Sequence, residues 1–252
     1  MKESYTPGHS ERAIAFMSRR RLTLDGAYFR PFLRPGMSVL DCGCGPGTIT
    51  CDIAREIAPG RAIGVDASAA QVELAGDRAK SQGVGNAAFR QADVYALPFF
   101  ADDTFDAVFC NALLEHLAEP QRAVDQFFRV LKPGGVLGVS TPYWGGFLVA
   151  PPTPTIQAAF DAYRQLQIRN GGDPYVGRKL GDFLEASGFE GIDQRARYEN
   201  YAPLTVITDF LALNLEHAGD PRNAQIWRTF GQHSRGMFAQ AWVSCTGRKL
   251  DG

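Results

Sequence analysis

An excess of charge of either sign is missing from this sequence: 26 basic side chains face 27 acidic ones, a formal net charge of -1. The overall basic footprint of a dedicated nucleic-acid binder is therefore absent. No run of Lys or Arg exceeds Arg19-Arg20-Arg21, so no nucleic-acid partner is expected. Cysteines are few and odd in number, five in all, with Cys42, Cys44 and Cys51 inside ten residues. A disulfide framework would show an even count in a shorter chain. A structural zinc site wants four ligands, commonly in two spaced pairs. None of the four histidines lies near these cysteines in sequence, and no metal is expected. The opening residues, MKESYTPGHSERAIAF, hold no apolar core of signal-peptide length, so the expected location is cytoplasmic. One absence is local, since residues 133–160 carry no charged side chain. That is long enough to span a bilayer. Pro133, Pro142, Pro151, Pro152 and Pro154, with five glycines, forbid a continuous helix there, and no membrane span is expected.

What is present is an ordinary folding composition, 45% apolar and 21% charged over 252 residues, which excludes global disorder and suffices for a full core. From residue 37 to 141, short apolar runs alternate with helical patterns. MSVLDC (37–42), RAIGVD (61–66), NAAFRQ (86–91), FDAVFC (105–110) and GVLGVST (135–141) read as strands. Helices are expected near 48–58, 69–81 and 120–131, the last placing Ala123, Val124, Phe127, Phe128 and Leu131 on one face. This alternation predicts right-handed βαβ units and a parallel sheet. Beyond Thr141 the rhythm changes. Residues 142–155 are rich in proline, glycine and aromatics and read as a loop. Helices follow near 155–168, 176–187, 203–217 and 221–235, with strands at 189–198 and 237–247.

The sharpest local pattern is Val39-Leu40-Asp41-Cys42-Gly43-Cys44-Gly45-Pro46-Gly47. A strand runs into alternate glycines and then a helix. Glycine tolerates positive φ and lets a ligand approach the backbone, and the helix start offers unpaired N–H groups. The loop sits beyond the carboxyl end of a strand, where open α/β sheets bind ligands. A dinucleotide site wants G-x-G-x-x-G/A. Here Gly43 and Gly45 lead to Thr48, and Gly45 and Gly47 to Thr50, so that spacing fails. Asp41 at the strand end would repel a pyrophosphate and favour a cation.

With these residues the sequence resembles the class I S-adenosylmethionine-dependent methyltransferases, whose first motif is D-x-G-x-G-x-G, and among them the ubiquinone/menaquinone-biosynthesis type. Further matches are Gly64-Val65-Asp66, Gln91-Ala92-Asp93-Val94 to Pro98-Phe99, Phe105 to Asn111 with Leu114-Glu115-His116, and Leu131-Lys132-Pro133-Gly134-Gly135. They cover about 36–141, with an echo at 177–181 and 186–189. The resemblance implies a cofactor site built from Asp41, Gly43, Gly45 and Gly47, with Asp66 and the adjoining Ala67 at the ribose. It implies Asp93 and the Val94 N–H at the adenine and Asn111 beside the sulfonium. Tyr5 and Arg20 are similar to a pair that reaches the cofactor carboxylate. The implied fold is α/β: a Rossmann-like, doubly wound seven-stranded sheet of order 3-2-1-4-5-7-6, the last strand antiparallel, with a helical cap. One methyltransferase domain over 1–252 would comprise an N-terminal cap segment (1–30), a cofactor core (31–141), and cap helices and closing strands (142–252).

The implied activity is methyl transfer from S-adenosylmethionine to a small molecule, with S-adenosylhomocysteine as product. The charge-free stretch holds Tyr143, Trp144 and Phe147, which as a pocket wall predict an acceptor with an apolar or aromatic portion. If that acceptor needs a base, His116 is the first candidate, with Tyr143 and His233 behind it. His217 and His233 fall on C-terminal helices as surface or lid residues, and Arg178 is expected to anchor its helix through an ion pair. The clustered cysteines are expected to pack beneath the glycine loop. Arsenic methyltransferases share the implied fold and need cysteines near substrate, but only Cys245 lies outside the cofactor half. Two other classes stay open: a regulatory module that binds the cofactor without turnover, and a nicotinamide oxidoreductase. The sequence is silent on oligomeric state.

Overall fold

The computed structural model describes residues 3–250. Its frame is a seven-stranded sheet made of β1 (Ser38–Cys42), β2 (Arg61–Asp66), β3 (Ala87–Gln91), β4 (Phe105–Asn111), β5 (Leu131–Ala150), β6 (Glu190–Asn200) and β7 (Met237–Arg248), in the order β3-β2-β1-β4-β5-β7-β6. The first five strands are parallel, and β7 runs antiparallel to both β5 and β6. The order expected from the resemblance is the order found. β1 is central, with Leu40 opposite Ile63 on one side and Val108 on the other. Val39 to Cys42 are all buried, Asp41 included, as in a strand covered on both faces. Val39 and Leu40 enter different core clusters, as alternation across a sheet requires.

Helices α2 (Thr48–Glu56) and α3 (Ala69–Ser81) follow β1 and β2, and α4 (Pro120–Val130) precedes β5. Proline at the first turn of α4 is tolerated because the N–H it lacks has no intrahelical partner there. The chain leaves β1 toward β2 and β3, then returns to β4. The crevice above β1 and β4 is thus the topological switch point where such sheets bind ligands.

A second group of helices forms a cap: α5 (Pro154–Arg169), α7 (Thr205–His217) and α8 (Pro221–Gly231). They enclose a core of their own around Phe160, Leu211, Trp227 and Phe238. Thr153 and Asp220 cap α5 and α8 through their side chains, each followed by proline. The N-terminal α1 (Glu11–Met17) joins this group by stacking Phe16 on Phe210, centroids 4.0 Å apart.

Two segments differ from the sequence reading. The expected helix at 176–187 is a single-turn helix, Val176–Lys179, followed by α6 (Leu180–Ala186). The strand expected to end at Thr141 continues to Ala150, paired along β7 with a register shift between Tyr143 and Phe147. The proline and glycine content suggested a loop; a bulge absorbs it instead. A Cβ on Gly146 would stand 2.9 Å from Ala241 Cβ on the paired strand, which only glycine avoids, and one on Gly145 would displace the tip of the Tyr143 ring. Among the described residues, no helix is long and apolar enough to cross a membrane.

Candidate active site

The glycine loop leaves β1 with positive φ at Gly43, Gly45 and Gly47, values that glycine alone adopts cheaply. Gly43 and Cys44 donate their N–H groups to the Val65 carbonyl at 2.8 and 2.9 Å, fastening the loop to β2. Asp66, at the end of β2, accepts from the Gly45 N–H and the Ser68 N–H, both at 2.9 Å. Both carboxylate oxygens are thereby fixed, each keeping acceptor capacity. Asp41 is buried and accepts from Thr50 Oγ1 at 2.5 Å. Burial pushes its carboxyl up to about 7, with the Thr50 bond opposing and Asp66 adding to the rise.

Above the loop lies a cavity of about 270 Å³. It draws on the N-terminal segment (Tyr5, Arg20), the loop (Asp41, Gly43, Gly45) and the end of β2 (Asp66, Ala67). Asp93 and Val94 enter from the turn after β3, and Asn111 and His116 from the end of β4 and beyond. Residues spread across the first 116 positions thus converge in one place. Gly47 and Tyr143, of the expected site residues, do not line it. A Cβ on Gly47 would come 2.6 Å from Ala75 Cβ and 2.9 Å from Phe89 Cε1, so this glycine serves the packing of α2 against α3 and β3. Tyr143 sits on β5 with its ring against Tyr175.

The far end of the cavity is a cluster of buried titratable groups. His116 packs edge-on against Tyr5, and burial helped by the Arg20 charge pushes its imidazole down to about 3. His116 is therefore neutral, its Nε2 3.6 Å from Glu115 Oε1 and its Nδ1 without a partner. Glu115 is buried beside it, accepting from Thr141 Oγ1 at 2.7 Å. Burial lifts its carboxyl to about 7, and the Thr141 bond and Arg20 oppose the rise. The first described residues, of which Glu3 and Tyr5 line the cavity, are tied down as a strap beside it. The Glu3 carboxylate accepts from Tyr95 OH and from the Ala118 N–H, Ser4 N–H donates to Asn170 O, and Asn170 Nδ2 donates to Thr6 Oγ1.

The sequence model of the methyltransferase domain family matches residues 33–175, more than half of the chain. The chain belongs to the class I S-adenosylmethionine-dependent methyltransferases. It is 30% identical to the ubiquinone/menaquinone biosynthesis C-methyltransferase of Salmonella arizonae, over 64% of this chain and 69% of that protein. It is 34% identical to the demethylmenaquinone methyltransferase of Lactococcus lactis, over 51% and 48%. The fold is shared with the Bacillus subtilis YcgJ protein at a TM-score of 0.64 and 22% identity, over 90% of this chain and 98% of that one. The chain spans about half the length, or less, of several curated relatives that it matches. S-adenosylmethionine is the cofactor of this methyltransferase class.

The cavity suits that cofactor on its own chemistry. Asn111 Nδ2 and Oδ1, Gln71 Nε2 and Oε1, and His116 Nδ1 are buried with no protein partner, and all three residues line it. An unmet buried polar group costs about 1–3 kcal/mol, so a polar ligand that pairs with them is strongly favoured. Asp66 and Asp93 line the wall with carboxylates, which suits a sulfonium. Gln71 was not foreseen, although the first turn of the helix after Asp66 faces the same crevice. Glu115 stood in a matched motif, but nothing in its type announced burial.

Trp144 and Phe147 belong to the cap, packed on Tyr163 (4.6 Å) and Phe160 (3.7 Å), so they wall the cap core and not the cavity. Arg178 lies over the Tyr175 ring and forms no ion pair among the described residues; the pair there is Lys179–Asp173 at 2.7 Å. His217 ends α7 and His233 follows α8, both outside the cavity lining. All five cysteines are buried and unpaired, with Cys42 beside Cys110 across β1 and β4. Among the described residues, no cluster of side chains suited to a metal ion occurs.

Proposed function

We propose that this methyltransferase-family chain transfers a methyl group to a small-molecule acceptor with an apolar or aromatic portion, a description that the demethylmenaquinone named for the Lactococcus lactis relative fits. The observation that supports this best is the convergence of unmet buried polar groups with fixed carboxylates at the switch point of the sheet. When bound, S-adenosylmethionine supplies a methyl group already activated on a cationic sulfonium. The chain's own residues then align the reactants and exclude water, which offers effective molarities on the order of 10⁵–10⁸ M.

In this reading Asp66, held from behind by two backbone N–H groups, presents its free lone pairs to the ribose hydroxyls, with Ala67 alongside. Asp93 and the Val94 N–H take the adenine edge. Gly43 and Gly45 admit the cofactor to the loop backbone, Asp41 lines the same wall, and Tyr5 borders its amino-acid end. Asn111 offers a buried amide toward the reacting centre. His116, neutral and with Nδ1 open, can accept a hydrogen bond from an acceptor but is too weak a base to store a proton near neutral pH. Its role is orientation. Calorimetric titration with S-adenosylhomocysteine and with NAD tests the cofactor half of the proposal, because tight NAD binding without the former overturns it. A methyl-transfer assay against a metabolite panel tests the rest: a chain that binds S-adenosylhomocysteine yet methylates nothing is a regulatory module.

A further inference from the structure

The molecule has a second cavity, about 300 Å³, set against β6 and β7 and bordered by residues 16–25. Trp242 of β7 stands in its wall beside its β6 neighbour Arg197, with Glu199 next along β6. Phe16, Leu24 and Tyr201 supply apolar surface. Arg20 lines both this cavity and the cofactor cavity. Its charge acts on Tyr5, Glu115 and His116 on one side and on Glu199 and Tyr201 on the other. The two cavities therefore adjoin at the His116 end, where the reacting centre is proposed, and not at the Asp93 end.

Three groups here lack a hydrogen-bond partner. No ion pair or side-chain hydrogen bond joins the Arg20 guanidinium to a described residue; it lies 5.8 Å from the Trp242 ring centroid. Arg197, by contrast, is matched by Asp25 at 3.4 Å and Glu199 at 3.9 Å. The Trp242 indole, 4% exposed, has an Nε1–H that makes no hydrogen bond. Glu199 Oε2 is buried and accepts none. Asp25 is already satisfied by the Arg21 N–H at 2.8 Å as well as by Arg197, and Arg19 adds a further positive charge at the rim.

We propose that the second cavity is the acceptor chamber and takes a planar, largely apolar molecule carrying a carboxylate or similar anion beside a hydroxyl or amine donor. The anion meets Arg20 and the Trp242 N–H, the donor meets Glu199 Oε2, and the body lies against Phe16, Leu24 and Tyr201. The placement rests on the methyl-transfer reading; the ligand chemistry rests on the cavity itself. This moves Arg20 from the cofactor carboxylate, where the resemblance placed it, to the acceptor: an unmatched guanidinium beside the site of a cationic sulfonium repels cationic acceptors and rewards anionic ones.

The test uses the full chain saturated with S-adenosylhomocysteine, that saturation being checked first by calorimetry. Failure there sinks the methyl-transfer reading; failure later, with S-adenosylhomocysteine bound, sinks only the chamber. The three tryptophans give three indole ¹⁵N–H signals, and Trp242→Phe assigns the one that matters. On titration with 3-hydroxy-2-naphthoate the Trp242 signal shifts while those of Trp144 and Trp227 hold. 2-Naphthol, without the carboxylate, binds at least tenfold more weakly, and 2-naphthoate falls between. Arg20→Gln costs the two naphthoates at least tenfold and leaves 2-naphthol unchanged. Glu199→Gln erases the advantage of the hydroxyl. Equal binding of all three probes in the unaltered chain overturns the proposal, as do shifts confined to Trp144 or Trp227. So does a preference for the carboxylate that S-adenosylhomocysteine abolishes and 5′-methylthioadenosine preserves, since Arg20 would then belong to the cofactor's amino-acid tail.

Discussion

Asp41 and Glu115 are carboxyl groups withdrawn from water with one side-chain hydrogen bond each, and both are pushed up to about 7 by burial. Folding therefore favours their protonated forms. The stability each contributes is complete below the unfolded value near 4 and is lost as pH rises through 7. His116 works the other way: held down near 3, it adds stability above its unfolded value of 6.5 that is lost as pH falls toward 3. Glu115→Gln removes one titrating acid and leaves His116 in place. The variant should gain stability relative to the parent between pH 4.5 and pH 8, by on the order of 3 kcal/mol. Urea denaturation at the two pH values reads the difference, and a constant gap would show that Glu115 is ionised at pH 5. At Asp66 the expectation concerns binding alone. Asp66→Ala should weaken S-adenosylhomocysteine about tenfold to a hundredfold through lost charge-assisted hydrogen bonds, as calorimetry would measure. Unchanged affinity would remove Asp66 from the site.

At the scale of elements, β1, the glycine loop and α2 form the working unit, and Gly47 is its mechanical joint. Gly47→Ala combines a left-handed φ with contacts of 2.6 Å and 2.9 Å, and should cost roughly 2–4 kcal/mol of stability. If the variant folds, its affinity for S-adenosylhomocysteine should fall less than that of Asp66→Ala, because Gly47 does not line the cavity. Denaturation and calorimetry on one sample separate the two effects. Residues 37–141 were readable in the sequence because buried parallel strands appear as apolar runs and their turns carry fixed glycines. The second half of β5 was not, since its partner β7 lies about a hundred residues away and a bulge hides the alternation. Trp144 and Phe147 announced burial without saying against what, and the answer was the cap. Gln71 and Glu115 escaped notice for a related reason: their importance comes from unmet or costly burial, which residue type alone does not reveal.

At the scale of the whole molecule, two cores serve the faces of the sheet and a third serves the cap. The N-terminal segment is the piece that touches every part of the site. Phe16 docks on the cap, Arg20 borders both cavities, and Tyr5 borders the cofactor cavity. Trp227→Ala should therefore loosen the cap, at about 3–5 kcal/mol for a buried aromatic, while the sheet retains its protection. Hydrogen exchange that rises in α5, α7 and α8 but not in β1 and β4 would bear this out; uniform loss would mean that cap and sheet unfold as one unit.

The ties of the N-terminal residues have a kinetic consequence. Glu3, which lines the cavity, ties residues near Tyr95 and Ala118 together, and Ser4 and Thr6 tie to Asn170; a nucleoside the size of S-adenosylhomocysteine that enters past Glu3 has to part these bonds. Entry and exit then share one opening step. Glu3→Ala should accelerate association and dissociation of S-adenosylhomocysteine by similar factors in stopped-flow fluorescence, with the equilibrium constant nearly still. The residence time of bound S-adenosylhomocysteine would then be set by a carboxylate clasp beside the cavity, at a residue given no part in holding the ligand.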